Sequence, residues 1–545
     1  LQIATALTAT ETPFGKTPKV QQQLVWEMAA SLASLISILG VARDEIVQAI
    51  VANRTILRFL FFLITYASTS PELVADVLSA LMSLSEDNLE FGQALVDDQE
   101  THCYNQLLKL KESGGLDAML ACGVLHNVYS SLQWHDNSPG LDNATDALLV
   151  PAIAKVLEQT TLSQGSDPAD ILQMAFEVLA SVGADFQSAL EKGNKNRGKK
   201  AKKAKTQVTD DIDDSDRMDM DEPMTDDVAQ ESGDDEEEEG EEEESDDEMD
   251  QDAMLEDLEA VTGADDDMDE DSSLNDLPTL RELIQKAAPQ CIRWSQVNLD
   301  SDEAIAVQSH ALSALNNIAW TISCFDFTDD ENQGIYQAWG SVAKKIWSKV
   351  VGPILASDTA DLKLATIVTS LAWATSRSLG GSTPLKGDEH RRFMTLYQAA
   401  KGLEEQERAS GASEAGDQDP FQGLGVKCIG VLGQLARDPA PVELNRHVGV
   451  FLLTILSGLP ASPAADVVEA LNQLFDIYGE ESYACDREVF WRDNFLKHLD
   501  EIRPKVKAMT KAIDKRQSGE LRDRADEALL NLDRFLRYKR KNVPK

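Results

Sequence analysis

Along most of the chain, leucine, valine, isoleucine and alanine return every three or four positions, the spacing that lines one face of an α-helix. PELVADVLSALMSL (71–84) opens with Pro71 and Glu72, both favourable in a first helical turn. ESGGLDAMLACGVLHNVYSSLQW (112–134) breaks at Gly114–Gly115 and then continues as a long helix. LDNATDALLVPAIAKVLEQT (141–160) is amphipathic, with Pro151 at a kink or junction, and DPADILQMAFEVLASVGADF (167–186) follows in the same style. Helical patterning stops near residue 192, resumes at about Leu277 and runs to Arg540, with a smaller polar gap at 404–419. Convincing strand alternation is missing throughout.

Several of these helices share a core. GVLHNVYSS (123–131), SALNNIAWT (313–321), TSLAWATSR (369–377), GVLGQLARD (430–438) and EALNQLFDI (469–477) follow a small–Leu–polar–polar–apolar pattern. The step from Val431 to Ala470 is 39 residues, near the ~40–47 of HEAT and armadillo units, although other steps are longer. The expected fold is all-α: an α-solenoid with armadillo-like repeats over 1–192 and HEAT-like repeats over 276–545. Between them, 193–275 should form a disordered loop, basic and then acidic.

Charge sharpens that picture. Of the formal −45, a net −34 falls within 210–271, where 35 acidic residues accompany a single basic one, Arg217. Just before it, 192–205 holds eight basic residues and no acidic one. Such a segment has too little apolar surface to offset its ordering entropy, and a long insertion costs a helical stack little. The acidic excess argues against direct nucleic-acid binding, which rests on Lys and Arg neutralising phosphates, and favours a basic protein client. The apolar stretches at 56–67 and 448–459 fall short of the ~20 residues that span a bilayer, so no membrane association is expected. Six cysteines without a CxxC pair and seven scattered histidines suggest no metal, no cofactor and no disulfide framework. Phosphate-binding glycine loops, nucleophile elbows and HExxH motifs are missing, so no catalytic residue is assigned and an enzyme is not expected.

Two sets of residues are candidates for recognition. Asn127, Asn316, Asn317 and Asn472 lie in the shared helical core, where a carboxamide can hold the backbone of an extended peptide. Trp134, Trp320 and Trp373 could supply aromatic walls beside them. The structural alternative is that each Asn satisfies a neighbouring backbone group and each Trp packs between repeats. Separately, Lys199, Lys200, Lys202, Lys203 and Lys205 form two overlapping K-K-x-K blocks, a nuclear-localisation candidate or a counterweight to the acidic tract.

The order of these parts, with EALNQLFDIYGEE (469–481) as its most specific stretch, resembles the symportin family of armadillo/HEAT import adaptors. The resemblance covers essentially the whole chain and implies a monomeric, shuttling adaptor and chaperone, present in nucleus and cytoplasm. Its implied clients are the two large-subunit ribosomal proteins that bind 5S rRNA, delivered for assembly of that subunit. One would be held by a terminal segment in the groove, the other covered by the acidic loop. A transportin-type importin would be the carrier, recognising an N-terminal basic signal ending in Pro-Tyr. No Pro-Tyr pair occurs here, so that signal, and with it the first repeats, is expected to lie outside this chain. The alternatives are an importin-α-like or generic HEAT scaffold for other basic nuclear cargo, and a subunit that scaffolds an enzyme.

Overall fold

The computed structural model describes residues 16–162, 167–208, 274–327, 329–357, 361–410 and 419–544. For 167, 192–208, 404, 405 and 407–410 it describes the backbone alone. Among the described residues the regular elements are helices, and the one β-bridge is an isolated pair, His135–Ser138. The all-α expectation holds.

The N-terminal arm contains α1 (Lys19–Gly40), α2 (Asp44–Ala52), α3 (Arg54–Thr65), α4 (Pro71–Ser85), α5 (Leu89–Val96), α6 (Cys103–Leu110), α7 (Gly115–Ser131), α8 (Val150–Gln159) and α9 (Asp167–Val208). After the acidic tract come α10 (Pro278–Glu282), α11 (Ala288–Trp294), α12 (Asp302–Ile322), α13 (Gln333–Ile346), α14 (Gly352–Ala356) and α15 (Leu362–Leu379). The last six are α16 (Glu389–Ser410), α17 (Leu424–Leu435), α18 (Val442–Ser457), α19 (Ala464–Tyr478), α20 (Phe495–Ala512) and α21 (Gly519–Lys541). Single π-helical turns lie at Leu283–Ala287, Trp347–Val351 and Asp486–Trp491.

Local chemistry sets many of the boundaries. Ser70 caps α4 by accepting from Leu73 N, with Pro71 in the first turn, and Ser301 caps α12 by accepting from Ala304 N. Asp361 accepts from both Lys363 N and Leu364 N at the start of α15. Gly114 and Gly115, the N-cap and first residue of α7, take positive φ (80° and 69°), the break the sequence suggested. Pro151 falls in the first turn of α8, so it marks a helix start and not a kink. Two helices run past their expected ends: α9 continues to Val208, and α16 reaches Ser410 inside the polar 404–419 stretch. Lys, Ala, Glu, Gln and Arg dominate both extensions, and all are strong helix formers.

Leu1–Ala189 and Asp271–Lys545 together form one compact unit, apart from Leu190–Glu270. In the larger unit, α1, α4, α7, α9, α12, α15, α17, α19 and α21 form one row, each packed on the next. A second row, including α11, α13, α16, α18 and α20, backs it. Helices inside the first row are covered on nearly all sides, which is why α7 and α17 are apolar around most of their circumference. Cys103, Cys122, Cys291, Cys428 and Cys485 are buried free thiols and Cys324 is half-buried; burial pushes the Cys122 thiol up to about 12.

The arms on either side of the acidic tract pack directly on each other. Asp136 accepts from Thr279 N (2.9 Å) and Thr279 Oγ1 (2.6 Å). Trp294 Nε1 donates to Leu157 O (3.0 Å), and Thr321 Oγ1 donates to Gly183 O (2.8 Å). At the other end of the row, Leu24, Met28, Leu35 and Ile38 of α1 are exposed, between 49% and 70%. By length and composition α1 could cross a membrane, yet in the fold it packs on α4 as the first helix of the row.

One buried ion pair fixes the last helix. Lys539 on α21 is fully buried and donates to Asp486, whose other oxygen accepts from Trp491 Nε1 at 3.0 Å. Phe490 and Phe535 flank the ammonium at 5.1 and 5.6 Å, so the charge is surrounded rather than left unpaired.

Two predictions concern this packing. A Cβ at Gly430 would lie 2.1 Å from the Trp373 ring, whereas one at Gly402 meets nothing. Gly430→Ala should therefore cost about 1–3 kcal/mol in urea unfolding, while Gly402→Ala should be neutral or slightly stabilising. His126 on α7 is buried between Asp146 (Nδ1 to Oδ1, 3.0 Å) and Asp185 (Nε2 to Oδ2, 3.5 Å). Burial alone would lower its pKa, but the two carboxylates outweigh burial and raise it above 6.5. A raised folded-state pKa means full stabilisation below the unfolded value, lost as pH climbs through the folded one. The gap in urea midpoint between wild type and His126→Gln should accordingly be widest below about pH 6.5 and close as the pH rises.

Candidate functional site

The shared small–Leu–polar–polar–apolar core places equivalent residues on successive first-row helices. The fifth residue of the five nine-residue segments is Asn127, Asn317, Trp373, Gln434 and Gln473 in turn. Asn127 Nδ2 donates back to α4, to Met82 O (3.2 Å) and Ser85 Oγ (3.1 Å). Asn317 Nδ2 donates to Ala180 O on α9 at 3.0 Å. Gln434 Nε2 donates to Gln473 Oε1 (3.1 Å), and Gln473 Nε2 passes on to the buried Glu469 (2.7 Å). Burial pushes the Glu469 carboxyl up, while the Gln473 bond pulls it back. The amide donors of Asn127 and Asn317 thus join neighbouring helices.

The tryptophans are distributed in the same way. Trp320 Nε1 donates to Ser370 Oγ on α15 (3.0 Å), and its ring meets Trp373 edge-on at 5.4 Å and 79°. Arg377 lies over the Trp320 ring at 5.5 Å. Trp373 packs against Gly430 of α17, and its indole nitrogen is buried without a partner. Trp134 sits apart from these, against Tyr129 (5.6 Å) and Tyr104 (6.5 Å), with Gly140 close over its ring. Asn316 is half-buried; its Nδ2 reaches Asn317 Oδ1 only at 3.5 Å, and its Oδ1 has no partner.

Asn472 differs: it lines a cavity of about 540 Å³ between α19 and α21. Asn472, Phe475 and Gly479 form one wall at i, i+3 and i+7; Asn531, Arg534 and Tyr538 form the other at the same spacing. Phe475 and Phe535 meet at 5.2 Å across it. Asp476 lines it too and is open to solvent, with its carboxyl raised by the surrounding protein and drawn back by Arg437 and Arg377. A hydrogen bond to Glu481 raises the Tyr538 phenol. The cavity thus offers aromatic faces, a carboxylate, a guanidinium and two carboxamides, the chemistry that suits a peptide with basic or mixed side chains. Sequence reading found Asn472 but not its partners on α21. The matched i, i+3, i+7 triads were visible, but nothing in the sequence says that those two helices face each other.

The Lys199, Lys200, Lys202, Lys203 and Lys205 side chains and the whole 210–271 tract lie outside the described residues. Among the described residues no group of three or more His, Cys, Asp or Glu is placed to hold a metal ion.

With this geometry in hand, the comparisons are decisive. The chain is 51% identical to "Symportin 1" of Chaetomium thermophilum across 99% of its own length and 80% of that protein. The chain belongs to the symportin family. A family model described as "SYO1-like, TPR repeats" matches residues 282–543 of this symportin-family chain. "Synchronized import protein 1" of Saccharomyces cerevisiae is 34% identical over 21% of the chain and 19% of that protein. An "armadillo repeat protein involved in nucleocytoplasmic transport Syo2" of Schizosaccharomyces pombe is 29% identical over 43% of the chain and 32% of its own length. Among solved structures, Kap121p aligns with 98% of this chain and 52% of its own, at 12% identity and a TM-score of 0.25.

Stability and binding should separate along the two roles of the asparagines. Asn317→Ala removes a bond between α12 and α9 and should cost about 1–3 kcal/mol. Asn472→Ala, at the cavity wall, should stay within ~0.5 kcal/mol of wild type in the same urea measurement.

Proposed function

We propose that this chain is a nuclear import adaptor and dedicated chaperone for the two large-subunit ribosomal proteins that bind 5S rRNA, supporting assembly of that subunit. The observation that carries this reading is the 51% identity to Symportin 1 across nearly the whole chain. The names of its fungal relatives, with import and nucleocytoplasmic transport in them, point the same way. The adaptor performs no chemistry of its own and shuttles between cytoplasm and nucleus with a transportin-type importin.

Two binding elements follow from the residues. An extended terminal segment of one client runs along the first row and enters the α19–α21 cavity. There Phe475, Phe535 and Tyr538 present aromatic faces to Lys and Arg stems, Asp476 receives a cationic head, and Asn472 and Asn531 take backbone groups. The acidic tract, net −34 over 210–271, attracts and neutralises the RNA-binding surface of the other client. Lys199, Lys200, Lys202, Lys203 and Lys205 serve as a nuclear signal beside it. Half-buried amide and aromatic contacts respond weakly to salt; exposed charges are screened beyond ~8 Å at physiological ionic strength.

Titration calorimetry across a salt series, with each ribosomal protein and with its isolated terminal peptide, tests both elements. Deleting 210–271 should weaken whole-client binding mainly at low salt and flatten the salt slope. Asn472→Ala combined with Asn531→Ala should weaken the peptide by about tenfold at every salt concentration, near the ~1–1.5 kcal/mol of a lost hydrogen bond. Equal or tighter binding of unrelated basic nuclear proteins would replace this reading with that of a general scaffold.

A further inference from the structure

The cavity between α19 and α21 is lined by four polar side chains that can bind, Asn472 and Asp476 on one wall and Asn531 and Arg534 on the other. Among the described residues none of the four has a hydrogen bond or an ion pair within 4 Å. Asp476 and Arg534 are both exposed, so solvent reaches them in the space that they line. Tyr538, on the same wall as Arg534, is by contrast engaged with Glu481. Charged side chains elsewhere on α20 and α21 find each other: Arg503 with Asp533, Arg522 with Asp526 and Arg540 with Asp500. An unbridged carboxylate and an unbridged guanidinium lining one cavity are an exception on these helices.

Packed helices stand ~8–10 Å apart. In an extended segment, side chains i and i+2 point to the same side, ~6.5–7 Å from each other. A segment that runs along the row, crossing α19 and then α21, therefore brings two alternate side chains to the two walls at once. Phe475 and Phe535 meet between the walls, 5.2 Å apart, and offer apolar surface to the stems of long charged side chains. On the side away from α21, Arg377 in the last turn of α15 and Arg437 just past α17 also act on the Asp476 carboxyl. The single carboxylate of the cavity thus lies in a neighbourhood of three guanidinium groups.

We propose that the cavity selects a mixed-charge segment, with a cationic side chain for Asp476 and an acidic side chain two positions away for Arg534, which makes Arg534 a specificity-determining residue. A run of cations would satisfy Asp476 but bring its next charge against Arg534, with Arg377 and Arg437 on the other flank. A run of acidic groups, or a phosphate backbone, would pair with Arg534 and be repelled by Asp476. A free amino acid carries both charges on one carbon, too close together to reach opposite walls. Each exposed ion pair is worth little alone. Together they discriminate, because the wrong charge at either wall is repelled as well as unpaired. This rests on the adaptor reading for an extended client segment in the cavity, and goes beyond it in naming the charge pattern of that segment.

The test uses the full chain and four fluorescent, end-blocked nonapeptides that differ only in their three central residues: Lys-Ala-Glu, Glu-Ala-Lys, Lys-Ala-Gln and Lys-Ala-Lys. At physiological salt, anisotropy should show one of the two mixed peptides binding about three- to fivefold tighter than Lys-Ala-Gln, the scale of an exposed ion pair. Lys-Ala-Lys should bind no tighter than Lys-Ala-Gln. In Arg534→Gln the advantage of the mixed peptide should vanish, and in Arg534→Lys it should persist, with circular dichroism checking that both variants keep their helical content. Equal binding of the mixed and Lys-Ala-Gln peptides overturns the proposal, as does an advantage retained in Arg534→Gln or no binding by any of the four. Tightest binding of Lys-Ala-Lys overturns it in favour of a uniformly basic segment. If the peptides fail while both ribosomal proteins still bind in calorimetry, the charge pattern falls and the adaptor reading stands; loss of ribosomal-protein binding removes the adaptor reading itself.

Discussion

The first row depends on neighbouring helices coming close enough for a side chain on one to bond the backbone or side chain of the next. Each close pair has a small residue at the contact. Gly183 lets Asn317 reach Ala180 O, since a Cβ there would lie 3.3 Å from the Asn317 side chain. Gly433 makes room for Gln473, and Gly430 for the Trp373 ring. Gly449 on α18 admits the Tyr478 hydroxyl, which donates to Asn445 Oδ1 at 2.7 Å, while Asn445 Nδ2 donates to Ala436 O at 2.8 Å. A buried polar atom that loses its partner costs ~1–3 kcal/mol, so these bonds hold helix spacing and register more tightly than apolar contact alone would. Within that frame the α19–α21 cavity and the Lys539–Asp486 pair have fixed positions.

The same constraint explains how the row tolerates the insertion of a long charged segment. On each side of 209–273 the chain enters helices that are bonded to the other arm, through Asp136–Thr279, Trp294–Leu157, Asn317–Ala180 and Thr321–Gly183. Closing a flexible loop costs only about 0.6 kcal/mol more for each doubling of its length, less than a single one of these bonds is worth if broken and left unpaired. Continuity of the row is therefore set by α9 against α12, not by the covalent path between them. A tract of any composition could occupy that path without altering the helical unit.

Much of the fold was legible because the signals are local. Helical spacing, Pro71, the Gly114–Gly115 break and the shared core each depend on residues within one or two turns. The helical backbone of α9 and α16 runs on into polar stretches, because Lys, Glu and Ala favour helix whether or not they are buried. The candidate site was legible only in part. The sequence placed Asn127, Asn317, Trp320 and Trp373 correctly in the shared core, but it could not say whether their polar groups meet a ligand or the next helix. That depends on contacts between residues far apart in sequence, 137 positions in the case of Asn317 and Ala180. The α21 wall of the cavity, 59 residues beyond Asn472 at its first member, Asn531, was invisible for the same reason.

Register within the core separates asparagines that bond a neighbouring row helix from those that do not. Successive helical residues leave the axis about 100° apart, so the fourth and fifth positions of the core point in different directions. The fifth turns toward an adjacent row helix in Asn127, Asn317, Gln434 and Gln473. The fourth holds His126, Asn316, Ala372, Gly433 and Asn472. In the N-terminal arm this position is consumed, with His126 held between two carboxylates. In α15 and α17 it is a small residue. In α12 and α19 it is an asparagine: Asn316 Oδ1 has no partner, and Asn472 lines the α19–α21 cavity. The fifth position thus keeps the helices in place, while the asparagines at the fourth, Asn316 and Asn472, take no part in bonding one row helix to the next.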